Sequence, residues 1–176
     1  CAELLVEAVV AALGEEIDVL LAEDRAEVVS RARQAGVSRM ISICDKLESF
    51  PAIRQIVDGQ DDMWCSAGVH PHYAKEYPDL SVEDLVELAQ WERVCGIGET
   101  GLDQHYGYSD LDDQIRCFRK HITASQETGL PLIVHTREAD AETGDALEAG
   151  YRERPFPILM HCYTSGESLA QRALEL

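Results

Sequence analysis

Three apolar runs in the sequence each lead to a side chain that can bind a metal ion. The run Val94–Ile97 is followed by Gly98 and then by Glu99, while Leu130–His135 and Pro157–His161 both finish on histidine. Short apolar runs of this kind are typical of strands buried on both faces, and parallel α/β folds place their chemistry at the carboxyl ends of such strands. If the three strands are neighbours, one carboxylate and two imidazoles meet at one edge of the sheet. That donor set suits Zn²⁺, Mn²⁺ or a similar divalent ion.

Each of these three residues also has a simpler explanation when it is taken alone. Glu99 could cap the next segment or pair with an arginine, and His135 and His161 could be hydrogen-bonded core histidines. Packing by itself gives no reason for all three runs to lead to metal-binding side chains. Their joint occurrence therefore favours a metal site.

Further polar side chains lie close to these runs in the sequence. His70 and His72 flank a proline just after the run Trp64–Val69, where they could hold a phosphate or simply occupy a surface loop. Arg137 could clamp a phosphate or pair with Asp140. The residues alone leave both alternatives open.

The elements that must position these side chains alternate between helix and strand. Apolar spacing and glycine stops predict helices at Ala2–Leu13, Asp24–Ala35, Phe50–Val57, Ser81–Gln90, Asp112–Thr128, Ala139–Tyr151 and Glu167–Leu176. The predicted strands are Ile17–Leu21, Arg39–Cys44, Trp64–Val69, Val94–Ile97, Leu130–His135 and Pro157–His161. This alternation indicates parallel βαβ units, in either an open doubly wound sheet or part of a barrel. A doubly wound protein with a small-molecule ligand is the weaker alternative, because the Gly-x-Gly-x-x-Gly sequence at 96–101 does not lead directly into a predicted helix, as a nucleotide-binding loop would.

The composition is that of a folded, strongly acidic globular protein. The 176 residues are 45% hydrophobic and carry a net charge of −18. This length is expected to form one domain, but a complete (β/α)₈ barrel usually needs roughly 250 residues. Excess negative charge argues against a general nucleic-acid-binding surface, since affinity for phosphate backbones comes mainly from Lys and Arg. It weakens a metal-dependent hydrolase less, because bound metal ions reverse the local field.

The spacing of the cysteines and the hydropathy of the sequence indicate the cellular compartment of the protein. The six cysteines are widely spaced and form no Cys-x-x-Cys pair, which favours reduced thiols in a cytoplasmic protein. No apolar stretch is long enough to cross a membrane, so no membrane partner is expected.

Four motifs, taken in order, resemble the TatD family of metal-dependent deoxyribonucleases. They are Gly-Val-His-Pro-His at 68–72, Gly-Ile-Gly-Glu-Thr-Gly-Leu-Asp at 96–103, Leu-Ile-Val-His-Thr-Arg at 132–137 and Leu-Met-His-Cys-Tyr at 159–163. Gln114, Phe118 and His121 also look like the family's pattern. The resemblance runs from about Arg25 to the end of the chain, so residues 1–24 diverge within a single predicted domain 1–176.

This resemblance implies an α/β fold of the TIM-like (β/α) barrel type, with a divalent metal pair at its carboxyl-terminal mouth. Glu99 would be the catalytic, metal-bridging carboxylate, while His135 and His161 would bind one of the ions. His70 would lie near the substrate phosphate, where Arg137 is a second candidate for substrate binding. The implied activity is exonuclease-like hydrolysis of phosphodiester bonds in DNA by a metal-bound water.

The sequence departs from the family pattern at both ends. The family's first strand ends in His-x-His, whereas no histidine precedes His70 here and Ile17-Asp18 could correspond to the start of that strand. The family's last strand supplies an aspartate, and this sequence ends at Leu176 before any such strand. We therefore expect an incomplete barrel that retains one site for Mg²⁺, Mn²⁺ or Zn²⁺, with the second site doubtful.

Two functions remain open at this point. One is a TatD-type deoxyribonuclease with impaired activity, and the other is a catalytically inactive barrel fragment with a structural or protein-interaction role. Because missing strands leave sheet edges unpaired, self-association is expected unless the predicted helix Ala2–Leu13 covers the gap.

Overall fold

A parallel sheet forms the centre of the fold. The structure is a computed structural model that describes residues 9–10 and 24–176. Its strands are β1 (Val9–Val10), β2 (Met40–Ser42), β3 (Met63–Ala67), β4 (Val94–Asp103), β5 (Leu132–Arg137) and β6 (Ile158–Met160). They lie in sequence order, and every ladder between described strands is parallel. Within the described residues no ladder joins β6 to β1, so this part of the sheet is an open arc.

Helices connect successive strands from β2 onward, as the α/β expectation requires. They are α1 (Arg25–Gln34), α2 (Phe50–Val57), α3 (Val82–Ala89), α4 (Leu111–Thr128), α5 (Asp140–Glu153) and α6 (Glu167–Leu174), with short 3₁₀ helices at Leu47–Ser49 and Pro71–Glu76. The start of α3 is a capping box in which Ser81 and Asp84 exchange side-chain to backbone hydrogen bonds. No described helix is both long and apolar enough to cross a membrane.

The amino-terminal prediction is wrong where the structure describes it. Val9–Val10 is a strand that pairs with β2, with Val9 opposite Ile41, although these residues lie within the predicted helix Ala2–Leu13. Valine is β-branched and favours strands when a partner strand is present, so pairing prevailed over the helical spacing. The rest of that predicted helix and the predicted strand Ile17–Leu21 lie outside the described residues.

Strand β4 is longer than the sequence pattern predicts. The expected break at Gly98 is wrong, because β4 continues to Asp103 with a register shift between Ile97 and Thr100. Gly98 and Gly101 have φ values of +133° and +140°, and a Cβ at either position would crowd a carbonyl oxygen of β5. These glycines therefore allow the two strands to approach closely where a side chain could not fit. As a result, Glu99 lies inside the strand rather than beyond its end.

Two clusters of buried apolar side chains flank the sheet. The larger one packs α4 against β4 and β5 and includes Phe118, Ile97 and Leu132. The smaller one packs α2 against β2 and β3 and includes Phe50 and Met40. Helix α4 is thus fixed directly behind the two strands that carry most of the candidate site.

Candidate metal centre

The carboxyl-terminal edge of the sheet, called the mouth below, gathers the predicted ligand residues. Oε1 of Glu99 lies 3.0 Å from Nδ1 of His161 and 3.4 Å from Nδ1 of His135. Donor atoms of His70, Glu99 and His135 lie within 4.8 Å of one another. Imidazoles around a carboxylate at this spacing fit a divalent ion. This compact group contains His70, which was predicted to bind phosphate, whereas the predicted ligand His161 contacts Glu99 from outside it.

The strand register explains why these side chains meet. In the parallel ladder between β4 and β5, Gly101 lies opposite His135, which brings the imidazole beside Glu99. His161 directly follows β6, and its backbone N–H donates to the carbonyl of Val134 at 2.9 Å. His70 precedes the 3₁₀ helix Pro71–Glu76 after β3. The expectation that the ligand-bearing strands are neighbours is confirmed.

A second carboxylate, Asp103, faces the other side of His135. Its Oδ2 lies 2.9 Å from Nε2 of His135 and 3.1 Å from Nε2 of His72, and its Oδ1 accepts hydrogen bonds of 3.0 Å from the N–H groups of His105 and Tyr106. His135 is therefore held between two carboxylates, with Nδ1 toward Glu99 and Nε2 toward Asp103. We call His70, His72, Glu99, Asp103, His135 and His161 together the mouth cluster.

Charge in the mouth cluster is concentrated on the carboxylates and His135. Burial opposes ionisation of Glu99, but hydrogen bonds from His135 and His161 outweigh it and hold the pKa well below the usual range. Burial is likewise outweighed at Asp103, where the Tyr106 N–H and His135 help lower the pKa to about 2. Burial also lowers the pKa of His135, but Glu99 and Asp103 outweigh it and raise that pKa overall.

His70 differs from His135 because it has no comparable carboxylate partner. Burial, followed by the neighbouring His135, lowers the pKa of His70 to about 3. Its Nδ1 accepts a hydrogen bond of 3.3 Å from the N–H of His72, which places the proton of the neutral ring on Nε2. His70 is therefore a neutral hydrogen-bond donor at neutral pH, not a cation.

Two side chains of α4 support the backbone behind the mouth cluster. Nε2 of the fully buried His121 accepts a hydrogen bond of 2.9 Å from the N–H of Val69, and Nδ1 donates to the carbonyl of Cys117 at 2.8 Å. Gln114 accepts from the N–H of Asp103 at 2.7 Å and donates to the carbonyls of Asp103 and Ser109 at 2.9 and 2.8 Å. We call this pair, Gln114 and His121, the α4 brace.

Arg137 lies beside an aromatic ring at the mouth. Its guanidinium sits 4.8 Å from the centre of the Tyr106 ring, and Nη1 donates to the Tyr106 hydroxyl at 3.1 Å. Asp140 instead accepts a hydrogen bond of 2.9 Å from the N–H of Gly166. The described contacts of Arg137 therefore do not include the ion pair with Asp140 that the sequence left open. Phosphate binding by Arg137 stays a prediction.

Sequence reasoning missed the contacts of Asp103 and gave no role to Tyr106 or Tyr108. The signal for Asp103 was available: side chains at i and i+4 of a strand share a face, so a strand continuing past Gly98 points Glu99 and Asp103 the same way. The predicted end of the strand at Ile97 concealed that relation. The tyrosines follow β4 in a loop, where the sequence contains no periodic signal for their position.

Comparison with known sequence families gives a match over most of the chain. The family described as TatD related DNase matches residues 16–176. The chain is 36% identical over 144 residues to the Erwinia tasmaniensis protein named 3'-5' ssDNA/RNA exonuclease TatD, covering 81% of this chain and 55% of that protein. It is 29% identical over 153 residues to the Mycobacterium tuberculosis protein named uncharacterized metal-dependent hydrolase TatD, covering 84% of this chain and 57% of that one.

Comparison with solved structures supports the fold. The crystal structure of YjjV, a TatD homologue from Escherichia coli K12, superposes with a TM-score of 0.78 at 22% identity, covering 88% of this chain and 60% of that one. The expected TIM-like barrel architecture is confirmed, with the described sheet forming an open part of it. The chain spans little more than half the length of these relatives.

Proposed function

We propose that this chain, which belongs to the TatD-related DNase family, supplies the site of a metal-dependent hydrolase that removes nucleotides from the 3' end of single-stranded DNA. Support for the substrate comes from the relative named as an ssDNA/RNA exonuclease, and support for metal dependence from the relative named as a metal-dependent hydrolase. The alternative is a catalytically inactive barrel with a structural or protein-interaction role. It is favoured by one observation, the lack of any histidine before His70 where the family pattern has His-x-His.

The observation that carries the proposal is the buried carboxylate of Glu99 among imidazoles. Its low pKa keeps it ionised, and the rings of His135 and His161 are already aimed at it. The raised pKa of His135 shows that positive charge is favoured between Glu99 and Asp103, so a divalent ion can take the place of the proton that His135 shares with Glu99.

We assign the roles as follows. Glu99, His135 and His161 would hold one Mg²⁺, Mn²⁺ or Zn²⁺ ion, and Glu99 would be the catalytic carboxylate. Asp103 accepts from Nε2–H of His135, which leaves Nδ1, the ring nitrogen beside Glu99, as the one that would bind an ion. His70 donates from Nε2 to a substrate phosphate oxygen, and Arg137 supplies positive charge to the same phosphate group.

The expected chemistry is hydrolysis of a phosphodiester. A divalent ion, when bound, would supply an acidified water and neutralise charge on the phosphate. The chain's own residues bind and orient the phosphate through His70 and Arg137, and Asp103 keeps His135 in place during turnover. Because the described residues supply ligands for one ion only in this assignment, we expect turnover below that of an enzyme with a metal pair.

The test is hydrolysis of a single-stranded DNA oligonucleotide labelled at either end, with Mg²⁺, Mn²⁺ or Zn²⁺ titrated against a chelator control. Glu99→Gln keeps the shape of the side chain but removes its charge, and we expect it to abolish metal-dependent cleavage. Glu127→Gln is the matched control, because Glu127 is exposed on α4. Calorimetric titration of Mn²⁺ into both variants reports ion binding independently of turnover.

The outcomes separate the two candidate functions. Metal-dependent loss of nucleotides from the 3' end that is absent in Glu99→Gln supports the exonuclease. Binding of Mn²⁺ through Glu99 without cleavage of DNA or RNA supports the inactive barrel. Cleavage that survives Glu99→Gln would contradict the assigned site.

Two further proposals concern the cellular location and the oligomeric state of the protein. Free thiols at Cys44, Cys65, Cys95, Cys117 and Cys162 support a cytoplasmic location. The open edge of the described sheet supports self-association, for which sedimentation is the test. A monodisperse monomer across a range of concentrations would contradict self-association.

A further inference from the structure

Two tyrosines form an exposed aromatic surface next to the mouth cluster. The rings of Tyr106 and Tyr108 are parallel within 1°, and their centres are 5.5 Å apart. They are 48% and 55% exposed, and they are two of the four large hydrophobic residues in the described part of the chain that are at least 40% exposed. Burying aromatic area is favourable, so two exposed rings stacked in parallel indicate a surface that a ligand covers.

One imidazole joins this surface to the candidate metal centre. The His72 ring packs edge-on against Tyr106 and Tyr108, with ring centres 5.2 and 4.8 Å apart, and its centre lies 4.3 Å from that of the His70 ring. Nε2 of His72 is also the group that approaches Asp103. The tyrosine surface therefore lies one side chain away from His70 and Asp103, and it contacts Arg137 directly.

The net charge of −18 makes such a surface useful for a nucleic-acid substrate. Phosphate contacts through Lys and Arg supply most of the affinity of ordinary nucleic-acid-binding proteins, and this chain has few cations to offer. Stacking of bases on aromatic rings does not depend on net charge and tolerates any base. Arg137, which lies over the Tyr106 ring, adds one cation at the same place.

We propose that Tyr106 and Tyr108 form a stacking subsite for the base of a nucleotide next to the cleaved phosphate. This inference rests on the proposed function and names the part of the substrate that the site holds besides the phosphate. It makes the two tyrosines substrate-binding residues, with selectivity for single-stranded ends, because a base within a duplex cannot stack on a protein ring.

The experiment measures binding, so that turnover is not needed. A thymidine trinucleotide and the matching trinucleotide without bases are titrated calorimetrically into the Glu99→Gln chain, alone and combined with Tyr106→Ala, Tyr108→Ala or Tyr108→Phe. We expect each alanine variant to weaken binding of the thymidine ligand by roughly 5- to 100-fold, while the phenylalanine variant binds as its parent does. The ligand without bases should bind weakly and equally to all of these proteins.

A matched control tests whether any aromatic residue near an arginine would behave in this way. Arg93 lies over the Trp64 ring at 5.8 Å, at the opposite, amino-terminal end of the strands. Arg93→Ala should leave thymidine binding unchanged, whereas Arg137→Ala should weaken it.

The outcomes distinguish the subsite from the proposed hydrolase. Equal thymidine binding by parent and tyrosine variants, or equal losses for the ligands with and without bases, would overturn the stacking subsite even if the wild-type chain cleaves DNA. Absence of any oligonucleotide binding would overturn it as well. Base-dependent binding that requires the tyrosines supports the subsite, even if cleavage is never observed.

Discussion

The mouth cluster and the α4 brace are both buried and polar, but they satisfy their side chains in opposite ways. In the α4 brace, the polar atoms of His121 and Gln114 bond to backbone groups, and the ring is neutral because burial lowers the pKa of His121 to about 4. In the mouth cluster, side chains bond mainly to other ionisable side chains, as His135 does between Glu99 and Asp103. The polar side chains of the α4 brace are therefore paired with neutral backbone groups, whereas those of the mouth cluster are paired with charged side chains.

This difference separates a structural histidine from a candidate ligand. A buried imidazole whose two nitrogens both meet backbone groups has nothing left to offer an ion, and its loss is a loss of stability. A buried imidazole whose partners are carboxylates can exchange its shared proton for a cation, and its loss is a loss of binding. The two regions also touch, since the α4 brace bonds to the backbone of Val69 and Asp103, next to and within the mouth cluster.

The largest effect on stability is expected at Gly101, where the lack of a side chain lets β4 approach β5. Gly101→Ala should lower the free energy of unfolding by about 4 kcal/mol or more, because φ is +140° and the new Cβ would overlap the carbonyl of His135. Chemical denaturation measures the change. Gly144→Ala is the matched control in α5, where the nearest atoms to the new Cβ are in the guanidinium group of Arg172, a side chain that can move at the cost of its surface ion pairs with Asp145 and Glu148. Equal stability of the two variants would show that the mouth backbone can relax.

Much of this architecture could be predicted from sequence, and the failures have physical reasons. The limits of Phe50–Val57 match the expected helix, since apolar spacing and a proline near the first turn determine that element locally. The role of Gly101 could not be read from the sequence, because it depends on the approach of a second strand. From the amino-acid sequence alone, a glycine that ends a strand cannot be distinguished from one that lets two strands approach closely.

The candidate site shows the same limit. The motif residues Glu99, His135 and His161 were expected together, and the strand order brings them together. The partition of charge among them was not predictable, because it depends on which imidazole lies against which carboxylate in three dimensions. Likewise, the aromatic surface of Tyr106 and Tyr108 arises from a loop conformation that no periodicity encodes.

The next largest effect concerns Gln114 of the α4 brace. Gln114→Ala leaves the buried N–H and carbonyl of Asp103 without partners, and we expect it to lower the free energy of unfolding by about 3 kcal/mol. It should also weaken Mn²⁺ binding, because Asp103 is then poorly held. Gln126→Ala is the control: Gln126 on α4 donates to the carbonyls of Gly150 and Arg154, away from the mouth cluster. If both variants change Mn²⁺ affinity equally, the brace has no special connection to the mouth.

Acid should reveal the opposite protonation preferences of the two regions. The pKa of His121 falls from an ordinary 6.5 to about 4 on folding, so the unfolded chain binds a proton that the folded chain does not. Its contribution to stability is complete above pH 6.5 and declines as the pH falls toward 4, by roughly 2–3 kcal/mol. His135 has a raised pKa and acts in the opposite sense, since its contribution is present at low pH and is lost as the pH rises.

The comparison of wild type with His121→Gln isolates the first of these contributions. Unfolding by urea between pH 7.5 and 4.5, in the presence of a chelator, should show that the wild type loses more stability on acidification than the variant does. Contributions from the mouth cluster are common to both chains and cancel in the difference. Parallel pH profiles would mean that His121 is not a neutral brace.

The smallest effect should come from Asp103, which belongs to the mouth cluster but does not face the ion in the assignment above. Asp103→Asn keeps an oxygen that can accept from His135 but removes the charge behind it, so we expect Mn²⁺ affinity to fall by about 10-fold with the fold intact. Asp113→Asn, at a surface pair with Arg116 on α4, is the control and should leave affinity unchanged. Complete loss of binding would instead make Asp103 a ligand itself. An unchanged Mn²⁺ affinity would mean that Asp103 is not needed to orient His135. The α4 brace and the backbone, rather than the mouth cluster, would then position this ligand.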